Sequence, residues 1–189
     1  MKNIIIVLVF TLSILSCKTA TKKSDIDTSK EQASSEKKVL SPHTSAMAMI
    51  QDAHIHLEYS SPRVRGRIIF GGLVRYESVW QAGAHNATWI ETNKALTIAG
   101  ETLPAGKYGF FTIPSKEDWT ILINKNWNQH GKDDYDAADD VIRFKVTPSI
   151  SDEIKEQLEY KVTKISETEG AISLSWEKVS IRFPFKINQ

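Results

Sequence analysis

The chain has 189 residues, enough for one domain with appendages. Its hydrophobic (41%) and charged (25%) fractions are those of a globular chain, and 24 Lys and Arg stand against 23 Asp and Glu, a net charge of +1 that offers no concentrated cationic surface to a nucleic-acid partner. A single cysteine, Cys17, excludes an intramolecular disulfide.

Met1–Ser16 carries one lysine, Lys2, ahead of the apolar runs Ile4–Phe10 and Leu12–Leu15. That length and those flanks suit an export signal better than a membrane-spanning helix. The run ends Ile14-Leu15-Ser16-Cys17, the pattern of a bacterial lipobox, so residues 1–16 are expected to be a lipoprotein signal peptide and Cys17 to carry the acyl groups, palmitate among them. Lys18, where an aspartate would favour retention at the inner membrane, points to the outer membrane. The expected localisation is the bacterial cell envelope, with the bilayer as a partner through acylated Cys17.

Residues 17–45 comprise that cysteine and a polar tract, and no aromatic residue occurs between Phe10 and Tyr59. Such a stretch buries too little apolar surface to order itself. It reads as a tether reaching on the order of 30 Å as a coil. Ser45–Ile50 is open between a helical turn and a lead-in to the first strand.

From Ala53 the dominant period is two, and residues 46–189 are assigned to one folded domain. Ala53, Ile55, Leu57 and Tyr59 share one face; His54, His56 and Glu58 share the other. The same alternation runs through Val141–Val146, Gly170–Trp176 and Val179–Phe185. Pro184 cannot donate to a ladder, which places that last strand at an edge or ends it there. Lys107–Ile113 and Trp119–Ile123 are apolar on both faces and should be central strands. About nine short strands with turn-rich links predict an all-β fold, a single antiparallel β-sandwich of jelly-roll-like type. Ser60–Ser78 and Asn124–Asp140 are left as long loops, where function tends to sit.

Several motifs then fall in order: Tyr59-Ser60, Pro62, Gly66-Arg67, Phe70-Gly71, Val79-Trp80, Gly83-Ala84, Ala87-Thr88, Leu103 to Tyr108, Phe111 to Pro114, Trp119-Thr120, and the closing Leu174 to Glu177. Together they resemble the family known as domain of unknown function 2911, over roughly Ile50 to Phe185. The resemblance implies a single extracytoplasmic all-β domain and no activity. The family pattern has Trp-Arg, then Gly-Ala-Asn-Glu; here Trp80-Gln81 and Gly83-Ala84-His85-Asn86 stand instead. An arginine and an acid are thus replaced by uncharged or weakly titrating groups.

Three constellations carry chemistry. His54, His56 and Glu58, two apart on one strand face, are ligand types for zinc, iron or copper, with His85 or His130 able to add a ligand; the plain alternative is a solvent-facing row. No cofactor is otherwise indicated, and a divalent metal is the one this pattern allows. Arg63, Arg65 and Arg67 form a basic stripe suited either to an anion or to anchoring the loop, and of these Arg67 belongs to the family-like part. Trp127 lies among Asn, Gln and His, where an indole can stack on a sugar ring while amides bond its hydroxyls; folding back as a lid is equally open. Trp119 and Trp176 read as core, Trp80 as a buried anchor, and Trp89 as ambiguous because it shares a face with Glu91.

The expected site is where the Gly83–Thr88 turn meets the Asn124–Gly131 loop, drawing on Arg67, Trp80, His85, Asn86, Trp127 and His130. The favoured function is a non-enzymatic module at the envelope for a glycan or other small polar ligand. The alternatives are a metal-dependent enzyme on the His54/His56/Glu58 face, and a structural lipoprotein with a protein partner. Neither a nucleophile elbow nor a phosphate loop is present.

Overall fold

The computed structural model describes residues 39–188. The expected signal peptide, Cys17 and all but the end of the tether lie outside them. Ten strands follow in order: β1 (His43–Ile50), β2 (Ala53–Ser60), β3 (Thr88–Thr92), β4 (Leu96–Ile98), β5 (Glu101–Leu103), β6 (Gly106–Ile113), β7 (Trp119–Asn124), β8 (Asp140–Val146), β9 (Ser149–Lys164) and β10 (Glu169–Ile187). One 3-10 turn, Ala137–Asp139, precedes β8. A six-stranded sheet runs β1-β2-β3-β6-β7-β8 and a four-stranded sheet β5-β4-β10-β9, with every pairing antiparallel. The fold is an all-β sandwich, as the alternation predicts. Among the described residues no helix is long and apolar enough to cross a membrane.

The alternation explains the layers. Ala53, Ile55, Leu57 and Tyr59 are buried against the second sheet while His54, His56 and Glu58 face outward, half-buried. Ser45–Ile50 is strand, and it belongs to an element that begins at His43, inside the range expected for the tether. Alanines at 46 and 48 make a weak strand signal alone; pairing along the whole of β2 supplies what propensity does not. As expected of chains apolar on both faces, β6 and β7 lie inside their sheet.

Where two strands were expected near the end of the chain, one 19-residue strand is found, sharply bent. Its register to β9 shifts on both sides of Glu177, which itself adopts φ 55°. Such bulges bend a strand and increase its twist. Beyond the bend the chain returns to its own level, because the Ile187 N–H donates to Thr168 O at 2.8 Å. Gly170 makes the return feasible: a Cβ there would collide with Phe185 and Ile50. The expectation of an edge at Pro184 is corrected. β10 lies between β4 and β9, and Pro184 falls between the stretch paired to β9, ending at Ser180, and the stretch paired to β4, starting at Phe185. Its missing donor therefore breaks no ladder.

The Ser60–Ser78 segment is not a free polar loop. It lays Val64, Ile69, Phe70 and Val74 across one end of the sandwich, all buried. Phe70 meets Trp119 at 4.8 Å, Trp80 at 5.9 Å and Trp176 at 6.0 Å, while Trp80 stacks on Trp176 at 5.8 Å. This four-ring cluster closes the end over which β10 bends. Trp176→Ala is expected to cost roughly 3–5 kcal/mol in urea unfolding, because one fully buried indole supports three elements. Met47→Ala, on the outer face of β1, should stay within about 0.5 kcal/mol.

Candidate functional site

The two-sided apolarity of β6 and β7 puts Phe111 and Leu122 on the outer face of the six-stranded sheet, where they form a second buried cluster with Ala87. Val79, Ile113 and Tyr135 pack around it. Apolar groups on an outer face must be covered, and the segment joining β7 to β8 folds back over them. Its polar residues fasten it. Buried Asn124 donates to Asp136 O (2.8 Å) and Asp140 Oδ1 (2.9 Å) and accepts from the Asn126 N–H. Gln129 donates to Asn126 O at 2.7 Å and accepts from the Asp134 N–H. The Asp140 carboxylate, 7% exposed, takes the Tyr135 hydroxyl at 2.9 Å and the Arg143 guanidinium at 2.8 Å.

The turn before β3 is held as tightly. Trp80 donates through Nε1 to Gly83 O, Thr88 through Oγ1 to Ala82 O, and Tyr160 through its hydroxyl to the same Ala82 O at 2.7 Å. The two segments are then zipped by backbone. Ala87 N–H donates to Gln129 O, Gly131 N–H donates to His85 O at 2.8 Å, and Asn86 pairs with His130 as an antiparallel bridge. The expected meeting of the Gly83–Thr88 turn with the Asn124–Gly131 loop is therefore found.

Beside that zipper lies a pocket of about 150 Å³. Its walls include His43, Glu58, Asn86, Trp89, Trp127, Asn128 and Gln129. Glu58 accepts from His43 Nε2 at 2.9 Å across the β1–β2 ladder. Trp89 and Trp127 meet at 6.4 Å and 68°, and Lys107 Nζ sits 3.3 Å from the centre of the first ring and 4.0 Å from the second. An ammonium held by two indoles ties the loop tryptophan to the sheet tryptophan, each contact being worth about 0.5–2 kcal/mol by its degree of desolvation.

Asn86 and Trp127 line this pocket as expected. The other expected residues are placed elsewhere. Trp80 is buried in the core cluster and positions the turn. His85 and His130 are exposed and do not line it; His130 bonds Asp133 at 3.1 Å. Arg67 is spent on its own loop, donating to Val64 O at 3.1 Å and Arg63 O at 2.6 Å, which is the anchoring alternative. His54, His56 and Glu58 share a face but do not converge as a metal site. Glu58 turns to His43, His56 sets its ring edge-on to Trp89 at 5.1 Å, and among the described residues no group of three His, Cys, Asp or Glu is arranged to hold an ion. The expected set did not include His43 or Trp89 as pocket walls, nor Lys107 on the two indoles. The signal for Trp89 was present, since sharing a face with Glu91 put it outward; that of Lys107 emerges only from the β3–β6 register, which sets Glu91 opposite it.

A family model described as "Protein of unknown function (DUF2911)" matches residues 41–185. The chain belongs to that family. Searches of curated proteins and of solved structures return no match. The matched span contains every strand up to Phe185 and the whole pocket, so the site is built on the family's domain and not on an addition to it. Within this DUF2911 domain Asn86 lines the pocket, while Gln81 lines a separate recess with Lys132. The zipper of backbone hydrogen bonds holds the turn without a charged pair between those positions.

Two outcomes follow. Asp140→Ala removes the acceptor for Asn124, Tyr135 and Arg143 at once and should lower stability by roughly 1–3 kcal/mol in denaturant unfolding. Burial, and secondarily the Asp140 carboxylate, push the Tyr135 phenol up to about 12. Burial raises the Tyr59 and Tyr160 phenols too. The folded chain thus keeps protons that the unfolded chain releases near pH ~10. This stability is fully present below about pH 10 and falls as pH rises toward about 12, and Tyr135→Phe should flatten the fall in urea midpoint over that window.

Proposed function

We propose that this chain is an envelope lipoprotein held at acylated Cys17, and that its domain is a non-enzymatic module binding a small neutral polar ligand of carbohydrate type in the pocket between β2, β3 and the Asn124–Asp140 segment. The observation that carries the binding reading is the composition of the pocket: two indoles beside Asn86, Asn128 and Gln129, with the Glu58–His43 pair on the far wall. Indole rings cover the apolar face of a sugar, and amides and a carboxylate bond its hydroxyls. At about 150 Å³ the pocket is smaller than the roughly 300–1,000 Å³ that drug-sized ligands require, which suits one ring or the end of a chain. Lys107 on the two indoles disfavours a cationic ligand, and Glu58 disfavours an anionic one. The anchoring reading rests on the lipobox-like Ile14 to Cys17 and the lone cysteine.

Titration with a panel of neutral mono- and disaccharides, followed by tryptophan emission, tests the binding reading. A saturable change for at least one sugar is expected, with Trp127→Ala and Asn86→Ala each weakening it about tenfold or more; exposed Asn86 should do so with the melting temperature nearly unchanged, while Trp127→Ala also gives up its contact with Lys107. Absence of any saturable response up to millimolar sugar would overturn it. Cys17→Ala should move the chain out of the membrane fraction or leave it unprocessed; a mature mutant still partitioning with membranes would refute the anchor.

A further inference from the structure

Exposed apolar side chains are unevenly placed among the described residues. Val39, Leu40, Ile68, Leu73, Ile150 and Ile154 gather at one end of the sandwich, while Met47, Met49 and Ile165 lie elsewhere. The end is the one where β2 finishes and β7 starts. Pro42 O accepts from the Ser61 N–H there, and Leu40 O accepts from Arg65 Nη2 at 3.1 Å. The segment bearing Ile68 and Leu73 is pinned to β9 at the same place, by the Arg63–Gln157 bridge and by the Val64 N–H donating to Glu156 O. Ile150 and Ile154 stand four apart on the first half of β9, where Ser149–Lys155 is exposed throughout. Ile150 also joins Phe70, Trp119 and Pro148 in an apolar recess of about 280 Å³. Ile68 is 73% and Ile150 70% exposed, a cost in water that folding does not recover.

We infer that this end is a membrane-docking face, its apolar side chains settling into the headgroup–acyl boundary of the bilayer that holds Cys17. The inference rests on the anchored reading. What selects the bilayer as occupant is where the chain leaves: the described residues begin at Val39, on this face, and residues 18–38 join it to Cys17. Even fully extended, that link spans no more than about 80 Å, so the bilayer stays at high effective concentration to this end, and a weak apolar contact becomes occupied. Charge does not drive it. Across residues 60–78, 115–118 and 149–156, six Lys or Arg stand against six Asp or Glu, with Arg63 lying 3.7 Å from Glu156. Docking by apolar insertion should therefore survive high salt.

The test uses the full lipidated chain carrying Ile68→Cys, labelled with an environment-sensitive thiol fluorophore and reconstituted in phosphatidylethanolamine–phosphatidylglycerol vesicles containing a brominated lipid. Ile165→Cys reports from the opposite end, next to the Lys164–Gly170 pairing. The expected result is one label per chain, because acylated Cys17 does not react, and severalfold stronger quenching at position 68 than at 165, unchanged by salt. Adding Ile150→Ser and Ile154→Ser should reduce the quenching at position 68. Equal, weak quenching at both positions on a vesicle-held, singly labelled chain would overturn the docking face and leave the anchor standing. Self-quenching that grows with protein density would assign the face to a second copy instead and overturn it likewise. Two labels per chain would show Cys17 to be free and overturn the anchored reading together with this one.

Discussion

The fold depends on one constraint, the apolar character of β6 and β7 on both faces. Phe110, Ile121 and Ile123 point inward and form the floor of the main core. Phe111 and Leu122 point outward, where a sandwich ordinarily meets water. Leaving them exposed would forgo roughly 1.5–3 kcal/mol per side chain. The Asn124–Asp140 segment and the turn before β3 are drawn onto that face to cover them, and the candidate pocket is the space left where these two coverings meet β2 and β3.

Covering an apolar patch with backbone creates the opposite problem, since buried peptide groups need partners. The chain answers with amides. Asn124 and Gln129 each act as donor and acceptor, and the Asp140 carboxylate gathers a phenol and a guanidinium at the root of the segment. A network of this kind is rigid only while every member is bonded. That rigidity is what lets Trp127, on an irregular stretch, hold a fixed place beside Trp89 with Lys107 between the rings.

Pocket and apolar end are close along the chain. His43 opens β1 and lines the pocket, and Pro42, one residue before it, joins the end where the exposed isoleucines gather. The same strand start thus ties the proposed ligand site to the proposed docking face, and the link to Cys17 enters at that point.

By itself the sequence determined the fold class, the two central strands and, to within a residue, the bounds of β2, β6, β7 and β8. Alternation with period two is a local property, and burial of one face of a sheet enforces it residue by residue. It also marked Asn86 and Trp127, because polar residues around an aromatic break that alternation. Only the tertiary structure decided the rest. β10 is one strand because bulges at Glu177 let it bend instead of ending, and a bulge depends on the partner strand. Arg67 is taken up by the carbonyls of its own loop because the Ser60–Ser78 segment packs across an end, which no periodicity announces. His54, His56 and Glu58 share a face, as the spacing requires, yet Glu58 turns to His43 on the neighbouring strand and the trio does not converge. Lys107 and His43 joined the site through strand register alone, a relation between distant segments fixed by the sheet as a whole.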